Sequence, residues 1–303
     1  MIAPASLAGE LSTPAGVRRL FDALEPKALS ESIERDHPDF AILTAARAMR
    51  ADLNGDSETV IRISESLFTQ QKFDPVSRVT SEGKADLIVG NVGSFPIWRE
   101  MLYLEAGRAY YKLGQLDRAI TFLKAVPESS PFALIAKLEI GWAYLKSRDA
   151  TSANDNLGRI GSYADQMNEL QKREFLLQRA YYNLEVGDSA RAAEFASQVG
   201  PIPSGGGELA AIRSKIIAQS QLNLYLKEAV QSPFADKRAR LETILKEVES
   251  IPTQYRDAEF SFLAGETYWH LASLLRVEDP DKFKSQASHA LERANDWLDP
   301  WVD

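Results

Sequence analysis

The chain has 303 residues, 45% of them hydrophobic, with 43 acidic against 35 basic residues and a formal net charge of -8. That balance argues against gripping a nucleic-acid backbone as the main job, since that needs a basic face, and no run of 18 apolar residues offers a membrane span. There are no cysteines, so disulfide and thiol chemistry are excluded and the compartment stays open on that count.

In chain order, the first sixteen residues lack the basic start and apolar run of an intact signal peptide; a mature exported protein with an added Met1 fits the same sequence. Residues 1–38 form a first segment, with helices over 12–36 punctuated by Pro14 and Pro26 around an apolar cluster of Leu20, Phe21 and Leu24. From 39 to 200 the chain predicts repeated helix pairs. Ala48, Ala51, Gly55, Val60 and Leu67 make a degenerate first pair, and Asn54-Gly55-Asp56 is its turn. The helical pattern stops over 73–96, where Pro75, Gly83, Gly90, Gly93 and Pro96 surround a short apolar segment. An insert this long is a mobile loop or a segment folded back onto the array.

Residues 98–160 then contain one pattern twice. Gly107, Tyr110, Ala119, Leu123 and Val126 recur as Gly141, Tyr144, Ala153, Leu157 and Ile160, each pair 34 residues apart. That is the period of a helix–turn–helix array. The pattern predicts a helix over about 99–113, a turn at Gly114 and a second helix from near Asp117 with an apolar stripe at helical spacing. Gly107 and Gly141 lie inside helices, where glycine costs about 1 kcal/mol against alanine. They imply close helix–helix approach, with Ala119 and Ala153 as facing small residues. Pro131 is expected to open the next helix.

A third pair follows at Ala180, Gly187, Ala192, Ala196 and Val199, after a lengthened junction. Residues 201–207, PIPSGGG, form a linker, and 208–303 holds degenerate pairs: long helices over about 208–231 and 234–250, then Gly265 and Tyr268 with Ala287, Leu291 and Ala294. Trp297 to Trp301 is expected to cap the open end of the array.

Tyr103, Gly107, Tyr110, Gly114, Ala119, Leu123, Val126 and Pro131 together resemble the tetratricopeptide repeat, most clearly over 95–160. The second copy departs from the family pattern at Arg148, in the place of the turn glycine, and at Lys137, in the place of the aromatic. The resemblance implies an all-α, superhelical solenoid of about five or six repeats that binds another protein and has no catalytic role. Its inner wall would be lined by Met101, Leu104, Arg108 and Tyr111, then Ile135, Leu138, Trp142 and Leu145, then Glu174, Leu177, Tyr181 and Leu184. These are mostly apolar, so the carboxylate clamp of some family members, which needs Lys and Asn here, is not expected. A groove for an apolar helix or extended segment of a partner fits them; filling from within, by 1–38 or 73–96, fits them equally. Self-association is compatible with the same wall.

Catalytic or ligand-holding motifs are not expected. Ser204–Gly207 precedes a helix but lacks the lysine and hydroxyl of a phosphate loop. Asp52–Asp56 has alternating oxygen ligands, but Ile63 stands where a calcium loop needs its closing carboxylate, so Asp56 is expected to cap a helix. His37, His270 and His289 lie in no metal-binding spacing, and Glu247 and Glu249 belong to a solvated face. The sequence therefore predicts no metal, no cofactor and a scaffold, with a bacterial cell-envelope or motility setting suggested by resemblance over 130–155. The alternative is a regulatory or sensor domain taking a peptide or small ligand in its groove.

Overall fold

The computed structural model describes residues 40–69, 96–200, 207–228 and 232–298. The expectations for 1–38, for most of the 73–96 insert, for 201–206 and for 299–303 lie outside these. Among the described residues the chain is all-α, with twelve helices and no strand. It divides into two compact units, residues 1–165 and 166–303.

The first unit contains α1 (Phe40–Leu53), α2 (Ser57–Thr69), α3 (Pro96–Lys112), α4 (Leu116–Lys124), α5 (Ala133–Lys146) and α6 (Ala150–Gly161). Each helix packs on its chain neighbour, and the longer α3 also packs on α1 and α5. Glu100 to Gly107 of α3 are accordingly buried on every side. One core joins Ala48 and Val60 to Met101, Leu104, Leu123, Val126 and Ile140.

The expected close approach at Gly107 is present. A Cβ built there would meet Leu123 Cγ at 2.5 Å and the Ala119 carbonyl at 3.3 Å. Bare backbone at 107 lets the Leu123 side chain lie against α3.

The second unit contains α7 (Glu169–Glu185), α8 (Ser189–Gln198), α9 (Gly207–Glu228), α10 (Phe234–Glu249), α11 (Ala258–Glu278) and α12 (Lys284–Leu298). Its core runs from Leu222 and Tyr225 on α9 through Leu241, Ile244 and Val248 on α10 to Phe260, Leu263 and Ala287. The third pair, α7 and α8, packs on α9 within this unit. The boundary between the two compact units falls at 165/166. Gly265 also finds a different neighbour from the one its spacing suggests: its Cβ would meet Leu298 Cγ at 2.7 Å. Trp297 closes that end of the core, its ring edge-on to Phe260 and under the Arg256 guanidinium.

Four turns share one geometry. The amides of Gly55, Gly114, Arg148 and Gly187 donate to the carbonyls of Asp52, Tyr111, Leu145 and Leu184. The next amides, of Asp56, Gln115, Asp149 and Asp188, reach Ala51, Tyr110, Tyr144 and Asn183. These paired bonds close a helix only if the residue between them is left-handed. The three glycines have φ from 74° to 83°. Arg148 adopts φ 58° in the same place, so the repeat's geometry overrides the residue's preference. Asp56, Asp149 and Asp188 then cap the following helices through the amides of Thr59, Ser152 and Arg191.

Candidate functional site

The side chains expected to line an inner wall are mostly inside. Leu104 is 2% exposed, Leu138 1% and Leu177 fully buried, and Met101 and Leu145 are buried with them. Tyr111, Ile135, Trp142, Glu174, Tyr181 and Leu184 are partly buried.

Several of these positions tie adjacent long helices together. Arg108 on α3 donates through Nε to Glu139 of α5 at 2.6 Å and through Nη1 to Glu105 at 3.1 Å. Lys146 of α5 lies over the Tyr111 ring, 4.8 Å from its centroid, and Ile135 packs against the first core. Burial pushes the Glu105 carboxyl up to about 7, with Asp52 adding to the rise and Arg108 and Lys112 opposing it.

The same register continues onto α11, where Gly265 and Tyr268 repeat Gly107 and Tyr110. There the places of Met101, Leu104, Arg108 and Tyr111 are taken by Glu259, Phe262, Glu266 and Trp269. Phe262 is 61% exposed and Trp269 54%. Seven residues apart on one helix, they share a face, and Glu266 lies between them. Trp269 is propped edge-on against His270, centroids 5.0 Å apart, and His270 is backed by Tyr225 of α9 at 6.2 Å. Burial holds the His270 imidazole below its ordinary pKa, opposed by Glu266 4.0 Å away. At the start of the helix Lys215 of α9 bridges Asp257 at 3.2 Å and Glu259 at 2.5 Å.

This aromatic pair was absent from the wall read off the sequence. The signal was present, since the same offset from Gly265 finds it.

Among the described residues no group of three or more His, Cys, Asp or Glu side chains is arranged to hold a metal ion. No described helix is long and apolar enough to cross a membrane. No protein-family model matches the chain, and no curated protein matches it in sequence.

Proposed function

We propose that the chain is a tetratricopeptide-like scaffold, without catalytic activity, that binds a partner protein through the exposed face of α11. Superhelical stacking of its helix pairs and a bacterial cell-envelope setting belong to the same reading. The observation that carries it is the pair Phe262 and Trp269, exposed in a register whose counterparts on α3, α5 and α7 are buried (Leu104, Leu138, Leu145 and Leu177) or partly buried (Tyr111 and Leu184). Large exposed aromatics are the side chains that most often anchor an interface. Trp269 is already propped by His270, itself backed by Tyr225, so docking a partner on it orders little that was free.

The charges around the pair narrow the partner. Asp257, Glu259 and Glu266 share this stretch, and Lys215 neutralises part of the first two. A segment presenting apolar anchors beside a basic residue complements this surface, the basic group reaching Glu266 and the Trp269 face.

The test is retention of partners from an extract of the source cells on the immobilised full chain, set against Phe262→Ala/Trp269→Ala. The reading predicts a protein held by the wild type, lost from the double variant and displaced by a synthetic peptide of alternating leucines and lysines. Equal retention by the two chains, with the variant's helicity intact, contradicts it.

A further inference from the structure

Two tyrosines at matching places in their helices each end on a carboxylate. The Tyr110 hydroxyl on α3 donates to Glu65 of α2 at 2.5 Å. Arg118 of α4 reaches that same Glu65 at 3.5 Å, with its guanidinium 5.4 Å from the Tyr110 ring centroid. On α11 the Tyr268 hydroxyl donates to Glu249 of α10. Arg293 of α12 reaches Glu249 at 3.3 Å and lies 5.6 Å from the Tyr268 ring centroid. The chain thus shows twice what this tyrosine's hydroxyl donates to across the gap between the preceding and following helices: a carboxylate held jointly with a cation.

Tyr144 on α5 is the third such tyrosine, 34 residues after Tyr110, and it lacks this arrangement. Lys124 stands where Glu65 does, at the offset that also carries Val60 to Ala119, and Ser152 stands where Arg118 does. No hydrogen bond joins the Tyr144 hydroxyl to any described residue. Lys124 lies over its ring instead, 5.5 Å from the centroid.

Where the clamp is missing there is a cleft. α4 and α6 each pack along α5 but scarcely touch one another. Between them is a space of about 450 Å³ that includes Tyr144, with an apolar floor from Leu123, Val126, Ala136 and Ile140. Its charged lining is Lys124, Lys137, Arg159, Glu128 and Asp155. Glu128 is already taken, by Lys137 at 2.5 Å and the Tyr163 hydroxyl at 2.6 Å. Lys124 and Arg159 therefore face Asp155 with one positive charge in excess.

We infer that this cleft binds a carboxylate carried on an apolar body. The carboxylate takes the place that Glu65 and Glu249 fill in the other repeats, accepting from the Tyr144 hydroxyl and pairing with Lys124, while the apolar part lies on the floor. Charge-assisted hydrogen bonds of this kind are about twice as strong as neutral ones, so the acid is preferred to its amide. The site is separate from the α11 face and stands without it.

Calorimetric titration of the full chain tests this with two acids, octanoate and an end-capped Leu-Leu-Glu-Leu peptide, against octanamide and the Gln peptide. The expected result is saturation of one site by at least one acid, with its neutral counterpart about ten-fold weaker or more. Whichever acid saturates identifies the source of the carboxylate. Tyr144→Phe should weaken the acid by about ten-fold with an unchanged melt. Lys124→Glu with Ser152→Arg rebuilds the α3 arrangement; it should lose binding and melt higher. Should that pair fail to fold, Tyr144→Phe decides alone. The inference is overturned if neither acid binds the intact chain, if the amide binds as well as the acid, or if Tyr144→Phe keeps full affinity.

Discussion

Leu104 on α3 and Phe262 on α11 sit at the same place in their helices, three residues before a buried glycine, and both are large and apolar. One is 2% exposed and the other 61%. Leu138 on α5 and Leu177 on α7 follow Leu104. What differs is the surroundings rather than the side chain. α3 has α5 as a neighbour, and their wall positions bond to it through Arg108–Glu139 and Tyr111–Lys146. α11 packs on α9, α10 and α12, and those contacts leave Phe262 exposed. A residue's place in the repeated pattern therefore does not decide whether it is core or contact; what packs over it does.

The largest expected effect lies at a closed position. Leu138→Ala should lower stability by about 2–5 kcal/mol, because truncating a buried leucine forfeits transfer energy and leaves a cavity. Urea melts check this. A loss under about 0.5 kcal/mol, the range of an ordinary surface change, would erase the contrast with α11.

A pH effect should belong to the first unit. Glu105 on α3 is buried with its carboxyl raised from 4.5 to about 7, while the corresponding place on α11 is Leu263. Because the folded chain holds the proton more tightly than the unfolded chain, stability contributed by this group is complete below about 4.5. It declines as pH rises through about 7. The decline amounts to about 3 kcal/mol at most. Denaturant midpoints between pH 4.5 and 8 measure it, and Glu105→Gln should flatten the profile over that window. An unchanged slope in the variant would remove Glu105 from the account.

The turn after α5 offers a smaller, opposite effect. Arg148→Gly should stabilise by about 1 kcal/mol, since a left-handed residue other than glycine is strained by roughly that amount. Glycine's extra freedom in the unfolded chain offsets part of the gain. A lower melting temperature would show that the Arg148 side chain contributes more than its backbone costs.

The smallest stability change is expected on the open face. Phe262→Ala and Trp269→Ala should each stay within about 0.5 kcal/mol of the wild type, in contrast with Leu138→Ala. A loss of 2 kcal/mol or more at either would place these rings in a core.

Much of this was readable in the sequence. The 34-residue offset fixed the helix pairs over 98–160 and placed Arg148 at a position that demands a left-handed backbone. The approach of α3 to Leu123 and Ala119 followed from Gly107, and Asp56 as a cap followed from its turn. Burial along the wall was not readable, because Leu104, Leu138 and Phe262 are chemically alike and differ only in what packs over them. The tyrosine clamps were hidden for another reason. Glu65 lies 45 residues before Tyr110, across the insert, so no local spacing joins them. The stretched last pair misled in the same way, giving Gly265 a neighbour in Leu298 that the spacing to Ala287 conceals.

The absence of cysteine from the chain allows the central contrast to be measured directly. Leu138→Cys and Phe262→Cys, made singly, can be reacted with a neutral maleimide under native conditions and compared with a short unstructured cysteine peptide. A buried thiol reacts only when its surroundings open, so its rate is scaled down by the opening equilibrium. The cysteine at 262 is expected to react within about ten-fold of the peptide, and the one at 138 at least about a hundred-fold more slowly, the protection an opening free energy of about 3 kcal/mol confers. Equal rates at the two positions would contradict the division of the repeated register into buried positions on α3, α5 and α7 and an exposed one on α11.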